Sequence, residues 1–194
     1  MNTVSEPRLD APGAGLPKLE LYAARLMFRR FRKKHNPESL NDLICTEKSK
    51  ILKRVETIDE KRGMTRVLID RIRGLEDSSR YWSVYMTLEH VRIVNSLVAD
   101  TMASLANGKI PDRAASTAEV KPDDGIGRSV LAEFAASCDK LISCIDGIKD
   151  LDRTEKLAHP WFGPLGIRDW HALAAVHFGI HRKQIKKILE NLNN

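Results

Sequence analysis

Apolar residues recur at intervals of three and four along most of this chain, the period of helices with one buried face, and no segment reads convincingly as a sheet strand. Residues 1–16 are rich in Pro, Gly and small side chains and read as a flexible arm. From 17 to 36 the pattern predicts a helix that gathers Leu19, Tyr22, Leu26 and Met27 on one side, the side expected to pack. A second helix is expected over 37–62, capped by Asn36, with Pro37 in its first turn and Gly63 at its end. Its stripe is Leu40, Ile44, Glu47, Ile51, Val55 and Ile58. The connection TRVLIDRIRGLEDSSRYW that follows is of mixed character.

A third periodic segment runs from 78 to 107, with Trp82, Met86, His90, Ile93, Leu97 and Leu105 on one side and Gly108 as its stop. Residues 109–126 have the Pro, Asp and Gly content of a long surface crossover. Val130, Phe134, Cys138, Leu141, Ile145 and Ile148 then mark another core helix. After the loop AHPWFGPLGIRD, the last helix begins near Gly166, with Asp169 well placed in its first turn. The whole predicts an all-α fold: a four-helix bundle over 37–194, with an extra N-terminal helix and long crossover loops. No repeat at a fixed period supports a solenoid.

The last helix raises the chemical question. Its stripe of Trp170, Leu173, Ala174, His177, Ile180, His181, Gln184 and Ile188 places two histidines four residues apart, side by side on a face meant for burial. Two stacked imidazoles in an apolar interior need two partners, or one divalent cation that takes both lone pairs. His90 points inward from a different helix, and three neutral imidazoles would leave positions open on a shared ion. Periodicity alone also allows three histidines that are merely packed. Phe178 stands where a zincin would carry its general-base glutamate, so a peptidase is disfavoured. Gln184, about 20° around the helix from His177, is placed to orient a ligand, and Thr87 is among the nearest polar groups to His90. His171 lies about 120° from His177 and is excluded from the site, as is His35.

Charge changes the picture in one place. The net charge of +6 is matched by the six basic residues of RLMFRRFRKK, residues 25–34, which contain no acid. Such a segment can serve as a contact surface for acidic lipid, nucleic acid or a partner subunit, but the solvated face of a packed helix is the simpler reading, so nucleic acid and membrane partners are disfavoured. Cys45, Cys138 and Cys144, odd in number and without CxxC spacing, read as free thiols, with Cys138 a small buried hydrophobe. The absence of an apolar leader or a long apolar run gives a cytoplasmic location as the expectation.

The segments SSRYWSVYMTLEHVRIVN, HPWFGPL and WHALAAVHFGIHRKQI together resemble the DinB/YfiT-like superfamily of metalloenzymes, a likeness that runs from about Leu40 to Ile188. The resemblance implies a four-helix bundle of unusual connection order in which His90, His177 and His181 hold a divalent metal, zinc or nickel before iron. It also places His159 and Trp161 in the family's loop ahead of the last helix, at the rim of the pocket or plugging the bundle's end. Relatives include enzymes that use low-molecular-weight thiols, and a homodimer is a habit of the family. The expected function is therefore a metal-dependent enzyme, a thiol S-transferase of detoxification type. The alternative is a noncatalytic metal- or small-ligand-binding stress-response protein. No catalytic acid or base stands out.

Overall fold

The computed structural model describes residues 6–112 and 114–193. Among these residues six α-helices carry the fold: α1 (Lys18–Lys34), α2 (Pro37–Val55), α3 (Glu60–Met64), α4 (Val84–Ala106), α5 (Val130–Gly147) and α6 (Ile167–Leu192). Two antiparallel two-stranded ladders complete it: β1 (Val67–Leu68) with β2 (Tyr81–Trp82), and β3 (Leu157–His159) with β4 (Gly163–Leu165). Among the described residues no helix is long and apolar enough to cross a membrane.

The bundle is formed by α2, α4, α5 and α6. Around its circumference α2 touches α5 and α6, and α4 touches the same two helices. Consecutive helices α2 and α4 are thus diagonal, as are α5 and α6, while the long 107–129 segment joins the neighbours α4 and α5. The shared core runs from Leu40, Ile44 and Ile51 of α2 through Leu88 and Met102 of α4 and Phe134 of α5 to Phe178 and Ile185 of α6.

Local signals fix most helix ends. Asn36 accepts the Ser39 N–H through Oδ1 at 2.9 Å, and Ser83 accepts the Met86 N–H at 3.1 Å, each capping its helix. α4 closes with Gly108 at φ +73°, the Gly108 N–H bonding the Leu105 carbonyl and the Lys109 N–H that of Ser104, a Schellman ending. Gly166 begins α6, and the Asp169 carboxylate accepts its N–H at 3.1 Å.

Four expectations are corrected. The helix foreseen over 37–62 stops at Val55, because Arg128, from far along the chain, donates to the carbonyls of Glu56 and Ile58, while Asp59 caps a separate short helix by accepting the Arg62 N–H at 2.9 Å. The helix foreseen from 78 starts only at Val84, since Tyr81 and Trp82 pair with Leu68 and Val67. Strands do exist, two and three residues long, too short for alternation to show.

The fourth correction concerns α1, which carries apolar residues on both sides and packs by the other one. Phe28 is buried, with Leu21, Ala24 and Phe31 half-buried beside it, whereas Leu19 and Tyr22 are 88% and 74% exposed. Phe28 lies 4.7 Å from the Phe162 ring, centroid to centroid, and the Arg25 Nε donates to the Trp161 carbonyl, so α1 clamps the β3–β4 turn. The arm is likewise anchored where it is described, from residue 6 onward: Leu16 is buried, and the N–H groups of Gly13 and Gly15 donate to the buried Glu76 carboxylate at 3.4 and 3.2 Å. The expected free thiols are found, Cys138 buried among core residues and its thiol pushed up by burial to about 12.

One glycine is required by close approach. A Cβ on Gly63 would lie 2.2 Å from the ring of the fully buried Tyr85. Gly63→Ala should therefore destabilise the fold by roughly 1–3 kcal/mol, the usual cost of overpacking, read as a lowered denaturant midpoint at unchanged slope.

Candidate metal centre

α4 and α6 bring His90, His177 and His181 together, with one ring nitrogen of each within 4.8 Å of the others. Ring centroids are 4.2 Å apart for His177 and His181, 4.6 Å for His90 and His181, and 5.0 Å for His90 and His177. His90 and His181 are 6% and 3% exposed, and His177 is half-buried. The Trp82 ring lies against His90 at 5.1 Å and nearly parallel to His181 at 6.5 Å, closing the apolar wall.

Hydrogen bonds decide which nitrogens face inward. The Val120 carbonyl lies 2.7 Å from His90 Nδ1, and a carbonyl can only accept, so Nδ1 carries the proton and Nε2 keeps its lone pair. For His181 the same result comes through an amide. Gln184 donates its Nε2 to the Ser79 carbonyl at 2.7 Å, which leaves Oε1 as acceptor for the His181 Nδ1–H, also at 2.7 Å. His181 Nε2 is therefore also unprotonated. His90 Nε2 and His177 Nε2 are 3.0 Å apart, and the buried His177 Nδ1 has no partner.

Burial keeps all three imidazoles neutral. It lowers His90 to about 4, against the raising effect of the Val120 carbonyl, with the Lys121 ammonium lowering it further. His177 and His181 fall well below the ordinary range, first through burial and then through the neighbouring histidines. Lone pairs that converge in a buried space with one proton at most between them are costly unless a cation accepts them. Two nitrogens each bonded at about 2.0–2.1 Å to one ion also stand close to the separation seen for His90 and His177. The donor set fits a divalent transition metal, and the Val120 and Gln184–Ser79 bonds are the outer support such ligands ordinarily carry.

The other residues expected at the site divide. Gln184 holds His181 and is not itself directed at a ligand. The Thr87 hydroxyl donates to the Ser83 carbonyl at 2.9 Å, within its own helix, and makes no hydrogen bond to the histidines. His159 packs against Trp161, Phe162 and Trp170, and its Nδ1 accepts the Trp161 N–H at 3.1 Å, so its proton sits on Nε2. Burial lowers His159 to about 4. His159 and Trp161 are thus a packed corner beside the cluster, tied to α1. His171 stays outside the cluster, as expected, yet is buried at 1% exposure.

Sequence reasoning missed the crossover's contribution. Beyond the Val120 carbonyl, the segment brings Lys121, whose Nζ donates to Glu76 at 2.7 Å and to Ser79 at 2.8 Å and stands 5.3 Å from the Trp82 ring centre. Burial alone would raise Glu76, but the bond and charge of Lys121, with the Thr117 hydroxyl and the Gly13 N–H, hold its carboxyl below the ordinary value. A main-chain carbonyl leaves no mark in a sequence, and Lys121 sits in a loop without periodicity.

The sequence and the fold connect the chain to known proteins. The model of the DinB superfamily matches residues 52–185, more than half of the chain. The chain belongs to the DinB superfamily. A solved crystal structure described as TT2238, a four-helix bundle protein, is similar with a TM-score of 0.57 at 17% identity, covering 78% of this chain and 98% of that one. At that identity the likeness speaks for the four-helix-bundle fold alone. No curated protein matches.

Two outcomes are expected of this DinB-superfamily chain. Gln184→Ala frees the His181 ring and should weaken zinc or nickel binding about 10- to 100-fold, measured by competition with a chromogenic chelator. Second, His159 and His171 titrate near 4 in the fold and near 6.5 when unfolded. Between those values the unfolded chain binds more protons, so stability of chelator-stripped protein should fall as pH drops from 6.5 towards 4, seen as a declining thermal midpoint.

Proposed function

We propose that this chain is a metal-dependent enzyme of thiol S-transferase type, with His90, His177 and His181 holding a divalent zinc, nickel or iron ion. The observation that carries the reading is the convergence of three neutral imidazoles, two of them with Nδ1–H already committed and Nε2 free. The set contains no carboxylate. A dication held only by neutral donors in a buried place keeps its full charge, and the ligand that best complements it is an anion such as a thiolate. When bound, the ion would favour the deprotonated form of a small thiol at neutral pH and so supply the nucleophile for attack on an electrophile.

The protein's own part is orientation and exclusion of water. Val120 and Gln184 fix two rings, Trp82 excludes solvent from one side, and His159, neutral at pH 7 with its proton on Nε2, offers a hydrogen-bond donor beside the cluster. The second reading is a noncatalytic metal- or small-ligand-binding protein of stress-response type. It is favoured by the Thr87 hydroxyl being turned into its own helix, where it bonds the Ser83 carbonyl and not a ligand at the histidines.

Elemental mass spectrometry of wild type beside His90→Ala and His177→Ala tests the site, and conjugation of cellular thiols to electrophiles tests the activity. Near-stoichiometric metal in wild type, its loss in both variants and metal-dependent conjugation abolished by His90→Ala are expected. Metal without turnover would select the noncatalytic reading. Wild type that holds no metal and refuses added zinc and nickel would remove the enzyme reading and the metal-binding form of the second.

A further inference from the structure

A second feature lies where the end of α1, the start of α2 and the first turns of α6 meet. There the structure forms a recess open to solvent, of about 290 Å³, lined among others by Arg32, Lys33, Lys34, Asn36, Arg168 and His171, with no acidic residue in its lining. That volume is at the lower end of small-molecule sites, which run to roughly 300–1,000 Å³, and suits a compact ligand. On α6, His171 is six residues before His177, about 9 Å along the axis and 120° around it, so the cavity and the histidine cluster are on different sides of the helix.

The charges at the cavity are only half answered. Arg32 commits its Nε to Asp169 at 2.8 Å, and Arg168 grips Asp152 through Nε and Nη2 at 2.5 and 2.8 Å. Lys33 and Lys34, both exposed, have no carboxylate partner among the described residues. The positive end of α2, capped by Asn36, adds to the same field. One more polar group is unsatisfied: His171 is 1% exposed, lines the cavity, and its Nε2 has no hydrogen-bond partner. A buried nitrogen without a partner is costly, and a ligand bearing several acceptor oxygens would supply one.

We propose that this cavity binds a phosphoryl group, held by Arg32, Lys33, Lys34, Arg168 and His171. A phosphate monoester carries about −1.5 to −2 charge and three acceptor oxygens, which matches two unanswered ammonium groups and the guanidinium N–H groups that Arg32 and Arg168 have left over from Asp169 and Asp152 better than a carboxylate would. The group can come from a small soluble phosphate or from a lipid headgroup, since α1 presents Leu19, Tyr22, Leu26 and Met27 to solvent just before its basic end.

Calorimetric titration of the full chain with inorganic phosphate, against chloride at equal ionic strength, tests the soluble source. Sedimentation with phosphatidylcholine vesicles containing or lacking phosphatidic acid tests the lipid source. The expected result is saturable binding in one arm, weakened at least tenfold in the double variant Lys33→Gln and Lys34→Gln, whose exposed positions leave the fold intact. It should be weakened as well in His171→Gln and retained in His90→Ala, which separates this site from the metal centre. Binding to phosphate assigns a soluble ligand, and binding only to the acidic vesicles assigns a headgroup. No saturable binding in either arm, or binding indifferent to the lysine pair, would overturn the proposal.

Discussion

The constraint on which the rest depends is that α6 is buried on more than one side. It touches α2 and α4 within the bundle, α1 outside it, and β1 and β4 at its flanks. A helix so enclosed has little surface on which to keep polar side chains wet, yet this one carries three histidines and a glutamine that are wholly or partly buried. Gln184 and, through it, His181 are answered from a neighbouring element, whereas His171 Nε2 and His177 Nδ1 have no partner. His181 is answered through Gln184 by the turn before β2, and Glu47 of α2, itself 8% exposed, meets Arg182 of α6 in an ion pair. Burial and polar satisfaction are therefore one problem, solved for His181, Gln184 and Glu47 where α6 crosses its neighbours.

The histidine cluster follows from that enclosure. Imidazoles in water would be partly charged near neutral pH; here desolvation drives them neutral and two acceptors draw their Nδ1 protons outward. Two inward lone pairs, those of His90 Nε2 and His181 Nε2, are fixed in this way, and His177 Nε2 stands 3.0 Å from that of His90. Pre-organisation of this kind lowers the cost of ordering ligands at the moment of binding.

Much of this was legible from residue order. The HxxxH pair, the inward His90, the cap at Asn36 and the stop at Gly108 are local patterns with local physical causes. Misreadings came where the cause was remote. Nothing near Val55 says that the helix ends, because the guanidinium of Arg128 takes up the released carbonyls. Nothing in α1 says which of its two apolar sides packs, because the choice is made by Phe162 in a loop more than a hundred residues on. The Val120 carbonyl that sets the His90 tautomer has no side-chain signature at all.

Enclosure also explains the pairing of Glu76 with Lys121. A buried ion pair is poor evidence of stabilisation in itself, since desolvation offsets much of the attraction, but removing one partner strands the other at a cost of about 3–5 kcal/mol. The pair therefore acts as a fastener, joining the arm through Gly13 and Gly15 and the crossover through Lys121 to the turn that bonds Gln184. Its electrostatic side matters equally. The Lys121 charge opposes protonation of His90 and His181, which favours free lone pairs, and the same charge would repel a divalent ion. Glu76, held ionised by Lys121, lessens that repulsion while leaving the loop in place. The carboxylate that the histidine set lacks is thus supplied one step away, where it steadies the cation of the crossover.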